Sequence, residues 1–203
     1  MSKCAPHLPE FLHDDLSHIY DDLAHERYGL SQLNQLMHAV QAGALAQVQG
    51  MPPTLVVAAL LHDIGHMVHH LGEHPAADGI DDQHEALGAE WLQRYFGPPV
   101  CEPVRLHVAA KRYLCATEND YIGTLSSDSM ESLLLQGGPM TLAEVSRFMT
   151  EPYWKEAVIL RRIDEAAKDP DGPLPAFSSF KAIIESAFFA TLKADNSILV
   201  DQK

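Results

Sequence analysis

An apolar stretch of the chain ends in three side chains that can do chemistry. The string is Leu60-Leu61-His62-Asp63-Ile64-Gly65-His66. If it is helical, His62 and Asp63 point about 100° apart and can reach one metal edge, and His66 lies on the same face as His62. Burying such groups costs several kcal/mol each unless they are paired or bind a metal. A metal site is therefore favoured over a capped helix end.

Twelve histidines nearly equal the 14 lysines and arginines, which is unusual. Beyond the string, His38 falls in the preceding predicted helix, His84 and His107 fall in two following ones, and Asp164 falls in a late helix. Histidine and carboxylate ligands together suit iron, manganese or zinc. Scattered structural histidines are the alternative.

The order of these residues resembles the H…HD…D pattern of the HD-domain superfamily, here His38…His62-Asp63…Asp164. The resemblance implies an all-α fold, a single HD-domain helical bundle with metals bound between helices. His84 and His107 match the subset in which two metals are bridged by the motif aspartate, here Asp63. We therefore predict a dinuclear site.

A longer ordered set resembles the HD-domain mixed-valent diiron oxygenases that cleave the C–P bonds of organophosphonates. It adds Tyr28, Lys111, Arg161 and the segments 126–129 and 135–140, so it spans residues 28 to 168. Lys111 follows His107 by one helical turn and Arg161 precedes Asp164 by nearly one turn, so both cations should overhang the metals. Packing of Tyr28 and solvated helix faces for the two cations are the alternatives.

The resemblance implies a role for each matching residue. Two irons would form an Fe(II)/Fe(III) pair. One would be held by His38, His62, Asp63 and Asp164, and the other by Asp63, His84, His107 and Tyr28. Tyr28 would bind one iron until substrate displaces it, and Asp63 would bridge the two. Lys111, Arg161 and Ser129 would hold the phosphonate, with His66 close to the substrate.

The implied reaction uses O2 to oxidise a 1-hydroxyphosphonate, giving phosphate and a carboxylic acid. Relatives acting on 2-amino-1-hydroxyethylphosphonate carry a Glu three residues after the Tyr, where this chain has Ser31. A trimethylammonium group donates no hydrogen bond and needs room, so we expect 1-hydroxy-2-(trimethylammonio)ethylphosphonate as substrate and glycine betaine as product. Ser31 as a helix N-cap is the alternative interpretation.

Other functions stay open at this stage. The same reaction on the primary amine would give glycine and phosphate. An HD-type metal-dependent phosphohydrolase is the leading rival, because a metal-bound hydroxide can attack phosphorus in the same fold. An inositol-oxygenase-like activity and an inactive interaction module are less favoured.

Helical periodicity dominates the chain, and no segment has a convincing strand pattern. We predict one domain over residues 1–203, with an N-terminal helix at about 10–27, a metal-binding core at about 28–168 and a C-terminal helix at about 179–193. Ser31 should begin the helix that ends at Gly50, and Pro53 or Thr54 should open a very apolar helix through Ile64. Further helices are predicted at about 83–95, 99–116, 128–135, 141–148 and 154–168.

Composition restricts the partners. The chain has 203 residues, 46% hydrophobic and 21% charged, which is typical of a globular protein. With 28 acidic and 14 basic residues the net charge is −14, so neither nucleic acid nor an anionic membrane is an expected partner. The chain shows no signal pattern, and its three cysteines (Cys4, Cys101 and Cys115) form no CxxC pair and no even set. Both observations predict a cytoplasmic protein with reduced thiols. The oligomeric state is left open.

Overall fold

The structure is a computed structural model that describes residues 10–25, 33–68, 71 and 75–200. Within these ranges the chain forms α-helices and short 3₁₀ and π-helical turns, and no strand. The α-helices are α1 (Glu10–Ser17), α2 (Gln35–Val48), α3 (Pro53–Leu61), α4 (Gly65–Val68), α5 (His84–Leu92), α6 (Pro98–Thr117), α7 (Ser127–Leu135), α8 (Leu142–Phe148), α9 (Trp154–Ala166) and α10 (Lys181–Val200). The predicted all-α class is confirmed, whereas the division of residues 1–203 stays a prediction.

Helix α3 lies at the centre of the core. It begins at Pro53, whose missing N–H is no loss in the first helical turn. Every residue from Leu55 to Leu61 is buried, and a helix that is apolar all round must be covered on all sides. Helices α2, α6, α9 and α10 pack against it. The C-terminal end of α3 therefore delivers His62 into the interior.

The first predicted helix differs from the structure. Helix α1 ends at Ser17 and is followed by a π-helical segment, His18–Leu23. This segment buries Tyr20, whose hydroxyl donates a hydrogen bond to the Leu60 carbonyl at 3.2 Å. The wider turn thus accompanies a contact with α3 that the periodicity of the sequence does not reveal.

The start of α2 also corrects the sequence analysis. Asn34, not Ser31, is the N-cap, and its side chain accepts a hydrogen bond from the Met37 N–H at 2.8 Å. Ser31 itself, like Tyr28, lies outside the described residues.

Several other boundaries differ, and α5 ends at Leu92 rather than near residue 95. Helix α3 ends at Leu61 rather than Ile64, so residues 62–64 form a turn before α4. Helix α9 ends at Ala166, and the last helix runs to Val200, beyond the predicted end near 193. Among the described residues, none of the helices is long and apolar enough to cross a membrane.

Candidate metal centre

The first group of metal-binding side chains is His38, His62 and Asp164, on α2, at the end of α3 and on α9. The Nε2 atoms of the two histidines lie 3.2 Å apart. Asp164 Oδ1 lies 3.2 Å from His38 Nε2 and 3.6 Å from His62 Nε2. All three side chains are buried. We call this group cluster A.

The second group, cluster B, is Asp63, His84 and His107. His84 opens α5 and His107 lies in the middle of α6, with their Nε2 atoms 3.2 Å apart. Asp63 Oδ1 is 3.7 Å from each of these nitrogens. Asp63 also faces cluster A, with Oδ2 3.6 Å from His38 Nε2. Asp63 therefore lies between the two clusters, the position expected of a bridging carboxylate.

The hydrogen bonds of the four cluster histidines leave their Nε2 atoms able to bind metal ions. Each Nδ1 atom faces a protein acceptor: the Ala167 carbonyl for His38 (3.0 Å), the Ala59 carbonyl for His62 (2.9 Å), Asp82 for His84 (2.8 Å) and the Val104 carbonyl for His107 (2.7 Å). With Nδ1 donating, the Nε2 atom of a neutral imidazole carries a lone pair.

Two such lone pairs face each other in each cluster. They repel at 3.2 Å unless a cation lies between them. Two nitrogens bound at about 2.0–2.1 Å to one ion are separated by about 3.0–3.4 Å. The donor set and its spacing therefore suit one metal ion per cluster.

Next to cluster A lies a group of cations around Ser129. Arg161, buried on α9, donates to Ser129 Oγ at 3.0 Å and to the Tyr121 hydroxyl at 3.1 Å, and it pairs with Asp164. Lys111, on α6, donates to Ser132 Oγ at 2.8 Å. Burial, and then the positive charge of Arg161, lower the pKa of Lys111 from 10.5 to about 7.

Two residues of this region were missed by the sequence analysis. Lys168 Nζ lies 2.8 Å from Ser129 Oγ and 3.3 Å from Asp164 Oδ1. Glu165 accepts hydrogen bonds from the Ser126 N–H at 2.6 Å and Ser129 Oγ at 3.1 Å, and it pairs with Arg161. The spacing of four residues from Asp164 to Lys168 was the available signal, because such residues are neighbours on a helix.

His66 lies beside cluster B rather than within it. Its ring stacks on that of His84, with centroids 3.9 Å apart and planes at 19°. His66 Nε2 is 4.0 Å from Asp63 Oδ1, and His66 Nδ1 is 2.7 Å from Asp82 Oδ2. Asp82 was also missed by the sequence analysis, although it stands only two residues before His84.

A cavity of about 170 Å³ joins these groups. Its lining includes residues of both clusters, His66, Ser129 and the cations Lys111, Arg161 and Lys168. The other residues of the lining are Gln35, Pro75, Ala76, Ile80, Asp81, Asp82, Val108, Asp128, Glu131, Ser132, Leu135 and Gln136. The cavity thus brings together every predicted site residue except His38 and His62, which lie in the cluster behind it, and Tyr28 and Ser31, which are not described. The individual roles of these residues stay predictions.

An all-α bundle with histidine and aspartate ligands converging between its helices defines a class of metal-binding domain. The HD domain model matches residues 35–167. The chain belongs to the HD domain family.

Two relatives of known activity cover most of the chain. It is 40% identical over 167 residues to the 1-hydroxy-2-(trimethylamino)ethylphosphonate dioxygenase (glycine-betaine-forming) of Leisingera caerulea, covering 82% of this chain and 85% of the relative. It is 43% identical over 157 residues to the hydroxymethylphosphonate dioxygenase of Gimesia maris, covering 76% and 77%. The resemblance to oxygenases acting on phosphonates is confirmed.

A third relative has no described activity. The chain is 28% identical over 152 residues to an uncharacterized protein of Acanthamoeba polyphaga mimivirus, covering 74% of this chain and 69% of the relative.

Proposed function

We propose that the protein is an oxygenase that uses O2 to cleave the C–P bond of 1-hydroxy-2-(trimethylammonio)ethylphosphonate, giving glycine betaine and phosphate. One observation carries the proposal: a single cavity is lined by all of cluster B, by Asp164 of cluster A and by the cations Lys111, Arg161 and Lys168. The relative that is 40% identical is a phosphonate dioxygenase that forms glycine betaine.

The proposed metals are two irons in the mixed-valent Fe(II)/Fe(III) state. His38, His62 and Asp164 would hold one iron, His84 and His107 the other, with Asp63 shared. Imidazole nitrogen and carboxylate oxygen are suitable ligands for iron, and Tyr28 remains the predicted additional ligand. When bound, the irons supply the redox chemistry that couples reduction of O2 to oxidation of the substrate.

The phosphonate end of the substrate is proposed to bind at Lys111, Arg161, Lys168 and Ser129. Phosphonate oxygens accept charge-assisted hydrogen bonds, and a guanidinium can offer two parallel donors. Arg161 and Lys168 both contact Ser129 Oγ, at 3.0 and 2.8 Å, so the donors converge on one point. This convergence would hold the carbon bearing the hydroxyl group next to the clusters, which is the orientation the reaction requires.

The ammonium end of the substrate is proposed to be stabilised by the acidic part of the lining. Asp81, Asp128 and Glu131 face the same cavity and belong to neither cluster. A trimethylammonium group donates no hydrogen bonds, so charge attraction without a fixed donor geometry suits it. The cavity therefore offers both signs of charge to a zwitterionic substrate, and Ser31 keeps its predicted role of leaving room for the methyl groups.

The overall reaction is balanced without a further reductant. The C–P bond breaks, new C–O and P–O bonds form, and substrate plus one O2 contains the atoms of glycine betaine plus phosphate. The protein's own residues bind and orient the substrate and limit the access of water.

The decisive experiment is a product assay with isotopically labelled O2. Iron-loaded protein should convert 1-hydroxy-2-(trimethylammonio)ethylphosphonate to equal amounts of glycine betaine and phosphate and carry the label into the products. Hydroxymethylphosphonate and 2-amino-1-hydroxyethylphosphonate are the competitor substrates. A higher kcat/KM for either competitor would reassign the substrate.

The rival function is tested in the same preparation. A phosphohydrolase would release phosphate from phosphate monoesters without consuming O2, and the label would come from water. An EPR signal of an antiferromagnetically coupled Fe(II)/Fe(III) pair that shifts on adding substrate would support the oxygenase. Absence of that signal in fully iron-loaded, partly oxidised protein would favour the hydrolase.

A further inference from the structure

One buried carboxylate, Asp82, contacts two imidazoles beside cluster B. Its Oδ1 lies 2.8 Å from His84 Nδ1, and its Oδ2 lies 2.7 Å from His66 Nδ1. The two rings stack on each other, and both turn Nε2 toward Asp63 Oδ1, at 3.7 Å for His84 and 4.0 Å for His66. Asp82 thus contacts the Nδ1 atom of each ring, whereas Asp63 lies near the Nε2 atoms.

The backbone around Asp82 is shaped for this contact. Gln83 has φ +50° and ψ +37°, a left-handed conformation that costs a non-glycine residue free energy. This turn lets Asp82 Oδ1 accept a second hydrogen bond, from the His84 backbone N–H at 3.3 Å. The carboxylate is therefore anchored to the start of α5 and has little freedom to turn away from the imidazoles.

We propose that Asp82 is a positioning residue that fixes the tautomer and direction of His84 and His66, and thereby controls metal binding at cluster B but not at cluster A. The proposal rests on the two-metal interpretation within the proposed function. Cluster A has its own supports, because His38 and His62 donate from Nδ1 to the Ala167 and Ala59 carbonyls. Loss of Asp82 should therefore weaken metal binding at cluster B and leave metal binding at cluster A unchanged.

The chemistry of the carboxylate determines the best variant. A carboxylate can accept from both Nδ1–H groups at once, whereas an Asn amide has one acceptor oxygen and one NH2 donor. An Asn could keep its oxygen on His84 and turn its NH2 group toward His66, so it could leave the support of cluster B intact. Asp82→Leu has a side chain of similar size and removes both acceptor oxygens.

Zinc titration of the metal-free full-length chain tests the proposal without turnover. The wild-type protein should bind two equivalents, competed against a chromophoric chelator. In Asp82→Leu, one equivalent should keep its affinity and the other should weaken by about 10–100-fold, the usual effect of removing the support of a metal-binding histidine. Glu85→Gln is the matched control, since Glu85 Oε2 lies 3.9 Å from His84 Nδ1 and should not matter.

A long-range proton–nitrogen NMR spectrum provides a second measurement. Wild-type His84 should carry its proton on Nδ1, and in Asp82→Leu, where no acceptor fixes that proton, the Nε2–H form of His84 should become populated. Asp82→Glu restores the carboxylate and should recover part of the lost zinc affinity.

Two results would overturn the proposal: two unchanged zinc affinities in Asp82→Leu, or equal weakening of both equivalents, which would mean a general structural role. Neither result bears on phosphonate oxidation, because no substrate is present. Failure of the product assay would conversely leave the zinc result intact.

Discussion

Gly65 approaches His84 so closely that no other residue type fits. A Cβ atom on Gly65 would lie 1.9 Å from the carbonyl oxygen of His84. This contact holds α4, directly after the His62-Asp63 turn, against the start of α5. It therefore sets the distance between the residues contributed by the apolar string and those contributed by α5.

Replacement of Gly65 by Ala should separate α4 from α5. Overpacking of a tight contact costs about 1–3 kcal/mol or more, and the displaced His84 should weaken metal binding at cluster B. Urea unfolding and zinc titration measure the two effects. Gly123→Ala is the control, because a Cβ there meets no atom within 4 Å. Equal free energies of unfolding for the two variants would show that a Cβ atom at residue 65 is tolerated.

Lys111 should make anion binding depend on pH. Its pKa is lowered from 10.5 to about 7 by burial and then by Arg161, so its ammonium form is lost as the pH rises through this value. Sulfate, which does not titrate near neutral pH, should bind more weakly above about pH 7, by at most about tenfold per pH unit. Lys111→Met should bind sulfate weakly at all pH values and without this slope.

The same lowered pKa of Lys111 should appear in the stability of the metal-free, ligand-free protein. Between about pH 7 and 10.5 the unfolded chain binds the Lys111 proton and the folded chain does not. The free energy of unfolding should therefore rise with pH in this window, by up to about 1.4 kcal/mol per pH unit. Urea titrations at several pH values test this contribution. An identical pH dependence in Lys111→Met would refute it.

Glu165 should hold the phosphonate-binding region together. Its carboxylate accepts from the Ser126 N–H and from Ser129 Oγ, and it pairs with Arg161. Glu165→Gln should lower the free energy of unfolding by about 1–3 kcal/mol, because buried donors lose a charged acceptor. It should also weaken sulfate binding, since Ser129 is no longer fixed.

Glu90→Gln, at an exposed position on α5, is the comparison for Glu165→Gln. Unfolding monitored by circular dichroism measures the difference. A loss no larger than that of the comparison variant would show that Glu165 does not anchor the region.

Replacement of Gln83 by glycine should not destabilise the protein. Its φ of +50° is accessible to glycine without a steric penalty. Gln83→Gly should therefore leave stability unchanged or raise it by up to about 1 kcal/mol, and zinc binding should be retained. Gln83→Val, with a β-branched side chain, should be destabilised. If Gly lowered the melting temperature more than Val, the left-handed conformation would not be limiting.

Several features could be predicted from local sequence. The buried helix ending at His62-Asp63 follows from an apolar run bounded by Pro53, and the positions of Lys111 and Arg161 follow from helical spacing to His107 and Asp164. Boundaries were less accurate where tertiary contacts intervene. The π-helical segment that places Tyr20 on the Leu60 carbonyl is one example, and the cap at Asn34 is another.

By itself, the sequence determined the helical class, the metal-binding residue types and the family resemblance, because periodicity and residue chemistry are local properties. The resemblance also predicted that Asp63 bridges two metals, but only the tertiary structure gave the distances between the donors and brought Lys168 and Glu165 to Ser129. Likewise, Asp82 could be recognised only once a left-handed turn at Gln83 brought its carboxylate to two rings from different helices. Such relationships depend on distances across the bundle, which arise from packing between segments far apart in the chain.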